Sequence, residues 1–262
     1  SPETTLTRSS RVDSTATIAY VSFEPTRIHR AMQLEPIAIT AEVFQVGGYG
    51  LTAPEDAAIY LINFDGHAAL VDAGGGREQT RLLNHLATVG VLPAQIEYLL
   101  LTHCHYDHAG GAHSLRKHLG CPVVAHTLDA VFLENGNNEI TAADWYGAHI
   151  HPCPVDRPLR ELRQTLPLGG RTITALHIPG HSPGSLAYLI ESEGKRVVFA
   201  QDVHGPLDPV RLRSNRTDYL ASLERLLALN ADILCEGHYG IFRSKPVVAR
   251  FIHSCLNAAL GP

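Results

Sequence analysis

From about Ile37 the apolar residues of this chain fall into short runs broken by glycine and proline. ITAEVFQV, AAIYLINF and HAALVDAG follow one another, the second bounded by Pro54 and by Asp65-Gly66. An aspartate-glycine pair between apolar runs favours a tight hairpin, so these runs predict three successive strands opening an antiparallel sheet. The period then changes. In REQTRLLNHLATVG, Leu82, Leu83, Leu86 and Val89 share one helical stripe and Gly90 supplies a stop. IEYLLLT reads as a buried strand, and strand, helix and strand in succession form a βαβ unit, so part of the sheet is expected to be parallel with helices on its faces. AHSLRKHLG predicts a short helix ending at Gly120, and CPVVAH another strand.

Residues 127 to 165 mix ENGNNE, Trp145-Tyr146 and several prolines without clear periodicity, and are expected to form a partly helical insertion over one face. Order returns with RTITALHIPGH, SLAYLIE and KRVVFAQD as strands. DYLASLERLLALN is expected as an amphipathic helix with Leu220, Leu223, Leu226 and Leu227 inward, followed by ADILCEGH as the last strand. The start of the chain lacks such order. SPETTLTRSSRVDSTAT is polar and rich in Ser and Thr, which predicts a poorly ordered or partner-packing arm over residues 1–36 ahead of a folded domain over 37–262. The chain begins at Ser1 and its only methionine is Met32, so residues 1–31 read as a processed leader's remainder, an added segment or a native arm.

Composition narrows the class. With 262 residues, 45% hydrophobic and 18% charged, the chain suits one large globular domain, and no apolar run approaches the ~20 residues of a membrane helix. A soluble protein without a membrane partner is expected. The net charge of −5 and the lack of a concentrated basic face argue against nucleic acid. Five cysteines with no CxxC pair suit a reducing compartment and mostly buried thiols, and with no secretory signal a cytoplasmic location is the expectation.

Histidine is the unusual component, with 16 copies. LTHCHYDHAGG packs three of them and an aspartate between an apolar run and two glycines. Further ligand-type residues recur at strand ends: His181 after TALHIPG, Asp202 after VVFAQ and His238 after DILCEG. Loops converge outside the carboxyl ends of strands, so four such ends aimed at one place would make a site. In HxHxDH, alternate residues leaving a strand can reach one metal ion and the next two, turning the corner, a second. Gly110 and Gly111 are expected to permit that corner.

THCHYDHAGG, PGHSPGS, the aspartate of FAQD, the histidine of EGHYG and the VDAG segment resemble the metallo-β-lactamase superfamily in order and spacing, over roughly residues 40 to 245. The resemblance implies an α/β fold, the αββα sandwich of two mixed sheets face to face with helices outside. It implies that His103, His105 and His181 hold one metal, Asp107, His108 and His238 a second, and that Asp202 bridges both. A carboxylate at the bridging position is similar to glyoxalase II-like hydrolases and lactonases rather than to true β-lactamases. Only about two dozen residues follow His238, too few for the glutathione-binding helical region of glyoxalase II.

The implied activity is hydrolysis of an ester, thioester or lactone carbonyl in a small-molecule acyl substrate by a metal-bridging hydroxide, with Asp107 orienting the nucleophile and relaying its proton. The cofactors would be two divalent transition-metal ions, zinc first and iron or manganese also accepted by such ligands. Alternatives are a mononuclear iron oxygenase resembling persulfide dioxygenases, β-lactam hydrolysis, and a non-catalytic binding or regulatory module. The candidate substrate residues are Trp145 and Tyr146, with Phe132, as an apolar wall; His204 and Tyr239 beside proposed ligands; and Arg211 and Arg213, with Arg216, as a basic loop suited to an anionic group. His149 and His151 lack a third ligand and read as loop histidines; Cys104 and Cys235 read as core thiols, and Gly74 to Gly76 as a tight turn. A homo-oligomer through the N-terminal arm is a further expectation.

Overall fold

The computed structural model describes residues 35–261, so the expected arm, and the oligomer contact assigned to it, lies outside the described residues apart from its last two positions. The first of two sheets holds, in spatial order, β1 (Ile37–Ala38), β2 (Val43–Gly47), β3 (Ile59–Phe64), β4 (His67–Val71), β5 (Ile96–Leu100), β6 (Val123–His126) and β7 (Arg157–Leu159). The second runs β13 (Ile241–Arg243), β12 (Ile233–Cys235), β11 (Lys195–Ala200), β10 (Leu186–Ser192), β9 (Arg171–His177) and β8 (Arg163–Leu168). The helices are α1 (Gln79–Thr88), α2 (Tyr106–Ala109), α3 (Ala112–Leu119), α4 (Thr127–Glu134), α5 (Arg216–Ala228) and α6 (Lys245–Leu260).

β1 to β4 pair antiparallel, as the alternation predicts. Asp65 and Gly66 close the β3-β4 hairpin with φ of 53° and 88°, the positive pair a primed turn requires. β4 and β5 are parallel and joined through α1, the expected βαβ unit, and β6 and β7 continue the parallel half. Because side chains alternate across a strand, each sheet has two apolar faces. Tyr60, Ile62 and Phe64 meet Tyr188, Phe199 and Ile233 between the sheets. Ile59, Leu61 and Leu99 face outward under Leu82, Leu86 and Leu115 of α1 and α3. Val198 and Leu234 do the same on the other side, under Leu223 and Leu226 of α5 and Val248 and Ile252 of α6. The layers are helix, sheet, sheet, helix: the expected αββα sandwich. Each fully buried Leu or Phe in these cores contributes about 1.5–3 kcal/mol relative to exposure. No described helix is long and apolar enough to cross a membrane.

All five cysteines are free and buried. Cys104, Cys121 and Cys153 lie in the core under α1 to α4, Cys235 between the sheets, and Cys255 in the core under α5 and α6.

The structure departs from the sequence reading in four places. ADILCEGH is not the last strand: β13 and α6 follow, and the Val248, Ile252, Cys255 stripe packs α6 onto the second sheet. On α5 the inward residues are Tyr219, Ser222, Leu223 and Leu226, so the stripe is rotated and Leu220 and Leu227 sit at its margin. The segment 127–165 holds α4, β7 and the start of β8, so it completes both sheets as well as covering a face. Gly110 and Gly111 have ordinary helical φ of −57° and −79°, so space rather than backbone freedom requires them. A Cβ on Gly110 would lie 2.6 Å from the Tyr106 carbonyl oxygen and one on Gly111 2.5 Å from that of Ala73.

Candidate metal centre

Five chain segments deliver the polar cluster to one edge of the sandwich. β5 runs out into Thr102 and His103, α2 begins at Tyr106, and Asp107 and His108 occupy its only turn. Alternation along the outgoing strand puts His103 and His105 on one side and Cys104 on the other, where burial pushes its thiol up and its backbone N–H donates to Asp129 at 3.0 Å. His181 comes from the β9-β10 turn, Asp202 from the end of β11 and His238 from the end of β12. Asp202 has φ of 54°, and Asp72 at the end of β4 has φ of 64°. A non-glycine residue held there costs about 1–3 kcal/mol, which the surrounding fold must sustain.

The cluster divides into two sets. Ligand-type atoms of His103, His105, His181 and Asp202 converge within 4.8 Å of one another, and so do those of Asp107, His108 and His238. Asp202 lies between them. Its Oδ2 is 3.2 Å from His181 Nε2 and 3.7 Å from His103 Nε2, while its Oδ1 is 3.2 Å from both His108 Nε2 and His238 Nε2. Asp107 Oδ2 is 3.1 Å from His238 Nε2 and 3.6 Å from His108 Nε2. His181 Nε2 and His105 Nδ1 are 2.9 Å apart.

This donor set suits metal ions. His103 Nε2, His105 Nε2, His108 Nε2 and Asp202 Oδ1 are buried with no hydrogen-bond partner among the described residues, a costly arrangement for a cluster complete in itself. Burial strips water from His103 and His105 and holds both imidazoles below their ordinary range, His105 at about 3, so each ring carries a free lone pair. Burial also opposes charge on His108 and His238, but there the Asp202 and Asp107 carboxylates outweigh it and hold both imidazoles well above the ordinary range. The pocket therefore takes up positive charge, as protons on these rings or as cations in their place. Imidazole and carboxylate donors accept zinc, iron and manganese alike.

A polar shell fixes the rings. Asp72 Oδ2 lies 2.8 Å from His108 Nδ1 and accepts from Thr102 Oγ1 at 2.7 Å and from Gln201 Nε2 at 2.6 Å. His181 Nδ1 lies 2.8 Å from the Pro206 carbonyl oxygen and His103 Nδ1 3.1 Å from Thr102 Oγ1. Asp129 joins two ligand loops, accepting from Cys104 N at 3.0 Å, Ser182 Oγ at 2.7 Å and Gly184 N at 2.7 Å. Glu236 accepts from the backbone N–H groups of His238 and Tyr239 at 2.8 and 2.9 Å, and its other oxygen lies 2.8 Å from His204 Nδ1. Burial would raise the Glu236 carboxyl, but His204 outweighs it and holds it ionised. Sequence reasoning assigned no role to Asp72, Asp129, Gln201 or Glu236, although Asp72, Gln201 and Glu236 lie within the quoted VDAG, FAQD and EGHYG segments.

Beside the cluster opens a cleft of about 210 Å³. Trp145, Tyr146 and His204 line it as expected, together with the unpredicted Leu212, Pro206 and Ala142. The other candidates do not line it. Phe132 packs on the core under α1 to α4. Tyr239 packs edge-on against the His204 ring, 4.6 Å between centres, and is 43% exposed. Arg213 is exposed outside the lining, Arg211 stacks 4.7 Å over the Trp145 ring, and Arg216 bonds the carbonyl ends of α6, because the loop turns Leu212 rather than its arginines inward. His149 Nδ1 pairs with Asn138 at 3.1 Å, a loop histidine as expected.

Residues 53–238 match the family model for the Metallo-beta-lactamase superfamily. The chain is 33% identical over 181 residues to hydroxyacylglutathione hydrolase GloC of Haemophilus influenzae, covering 67% of this chain and 81% of the relative. It is 29% identical over 214 residues to acyl-coenzyme A thioesterase MBLAC2 of Gallus gallus, covering 71% and 73%. Among solved structures, a metallo-beta-lactamase with a HARLDQ motif from Cronobacter sakazakii superposes with a TM-score of 0.71 at 25% identity, over 86% of this chain and 92% of that one. Rm3 metallo-beta-lactamase superposes at 0.70 with 18% identity over 88% and 95%, a likeness of fold.

Proposed function

Because the chain belongs to the metallo-beta-lactamase superfamily, on its glyoxalase II-like branch rather than among the true β-lactamases, we propose that it is a two-metal hydrolase of thioesters, with esters and lactones as related substrates. The observation that carries this is Asp202: its two carboxylate oxygens face two different imidazole sets. In this reading His103, His105 and His181 would hold the first ion, Asp107, His108 and His238 the second, and Asp202 would serve both. Zinc is the first expectation. Such ions, when bound, polarise a carbonyl oxygen and lower the pKa of water so that a nucleophile exists near neutral pH.

The chain's own residues supply the rest. Burial would raise the Asp107 carboxyl, but His108 and His238 hold it ionised, so it can take the proton of the attacking water and later hand it to the leaving sulfur. His204 faces the cleft with Nδ1 fixed by Glu236, which leaves Nε2 for the substrate. Trp145, Tyr146 and Leu212 exclude water from the acyl group. The names of two relatives, an acyl-coenzyme A thioesterase and a hydroxyacylglutathione hydrolase, support a thioester as the scissile bond. An iron oxygenase would use the first ligand set alone, and the complete second set speaks against it.

The test is metal analysis of chelator-free protein combined with a panel of thioesters, lactones and β-lactams. Close to two transition-metal ions per chain and preference for thioesters are expected. A single tightly bound iron with oxygen consumption would replace this reading with the oxygenase one.

A further inference from the structure

Arg211 lies beside two residues of the cleft lining and has no part in the chemistry above. It precedes Leu212, whose buried side chain lines the cleft, and its guanidinium stacks 4.7 Å from the centre of the Trp145 ring, which also lines it. One guanidinium nitrogen donates to Asp144 Oδ2 at 3.0 Å, and the other side-chain nitrogens make no hydrogen bond among the described residues. Both partners are well exposed, at 44% and 47% of their side chains. An ion pair so open to water is screened and contributes little to stability, so exchanging one carboxylate for another anion costs little. The cation–π contact keeps the guanidinium beside Trp145, a lining residue, whichever anion it faces.

We propose that Arg211 is a specificity-determining residue that binds an anionic group, a carboxylate or a phosphate, at the end of the substrate remote from the scissile carbonyl, and that Asp144 occupies its fork until that group arrives. This rests on the hydrolytic reading of the neighbouring site and extends it to the substrate's charge. The two residues then act in opposition: Arg211 binds the anion, Asp144 competes with it.

The test uses metal-loaded protein and three thioesters: acetyl pantetheine, which is neutral, acetyl phosphopantetheine, with a phosphate on the thiol portion, and succinyl pantetheine, with a carboxylate on the acyl portion. Arg211→Ala should raise KM about tenfold for the charged substrate that Arg211 serves, the loss of one charge-assisted contact, with a much smaller change on the neutral one. Asp144→Ala should lower KM for that same substrate, and Arg211→Lys should fall between wild type and alanine. Which charged substrate responds tells phosphate from carboxylate. Shifts in the same direction for Arg211→Ala and Asp144→Ala, equal on neutral and charged substrates, would make the pair a strap between two loops and overturn the proposal, as would no shift on either charged substrate. If wild type hydrolyses no thioester, the hydrolytic reading fails by itself. Calorimetric titration with phosphopantetheine and with succinate then still decides the arginine's role: tighter binding in Asp144→Ala and weaker in Arg211→Ala supports it, unchanged binding overturns it.

Discussion

The sandwich ends where β3 turns into β4 and its opposite end are made from the same strands, yet they treat polar groups differently. At the hairpin end partners are local or exposed: Gly66 N–H donates to Asn63 Oδ1 at 2.9 Å, Gln95 Nε2 to the Gly66 carbonyl at 3.1 Å, and Asp156 accepts from Val123 N and from Arg116. At the other end Asp72 and Asp202 hold left-handed φ, and His103, His105, His108 and Asp202 bury atoms with no partner. Left-handed φ occurs at both ends, Asp65 having 53° at the hairpin, but the unmet donors and acceptors of the polar cluster gather at one end, and that difference separates the part of the fold that stabilises from the part that binds. The apolar faces between them are continuous, so the end whose polar groups are met sustains the end whose groups are not.

The sharpest way to break this contrast is Asp202→Ala. It removes a carboxylate facing both imidazole sets, so mass spectrometry should find both ions depleted, and thioester hydrolysis should fall by at least about 10²–10³-fold. His238→Ala should deplete only the second ion; full retention of both metals in Asp202→Ala would remove the shared role. Next comes Asp129→Ala, at a residue outside both ligand sets. It leaves the N–H groups of Cys104 and Gly184 buried without an acceptor, at about 1–3 kcal/mol each. Melting should drop by about 10 °C, and metal affinity should weaken because the loops of His103 and His181 lose their common anchor. The smallest effect belongs to the hairpin end. The Arg116 bond holds the Asp156 carboxyl below its ordinary range, so the pair stabilises the fold above the ordinary carboxylate pKa and loses that effect as pH falls through the depressed one. Asp156→Asn should cost about 0.5 kcal/mol near pH 7, since the pair is partly exposed, and the difference from wild type should vanish as pH falls through the depressed carboxylate range. A penalty as large as that of Asp129→Ala would erase the distinction between the ends.

The same contrast explains what the sequence makes legible. HxHxDH announces itself because four ligand-type residues crowd one strand end, and the hairpin because Asp65-Gly66 favours one turn. Asp129 does not, because its partners Cys104, Ser182 and Gly184 lie 25 to 55 residues away and nothing local in TLDAVF marks it. Asp72 and Glu236 hide likewise inside apolar strand ends, where a single acid has no periodic signature. β7 escapes notice because three residues, one of them Pro158, pair only at the sheet's edge, where a missing N–H is tolerated. The inward turn of Leu212 between two arginines depends on the loop's path rather than on its composition.

The five buried thiols divide among the three cores: three under α1 to α4, one between the sheets, one under α5 and α6. A thiol reagent cannot reach any of them in the closed molecule, and burial pushes each thiol up, away from its reactive form. Labelling therefore waits for opening, and because each layer carries its own reporter, the order in which the cysteines are modified times the breathing of the layers separately. Cys235 and Cys255 compare the heart of the sandwich with one outer layer in a single experiment, without a single introduced label.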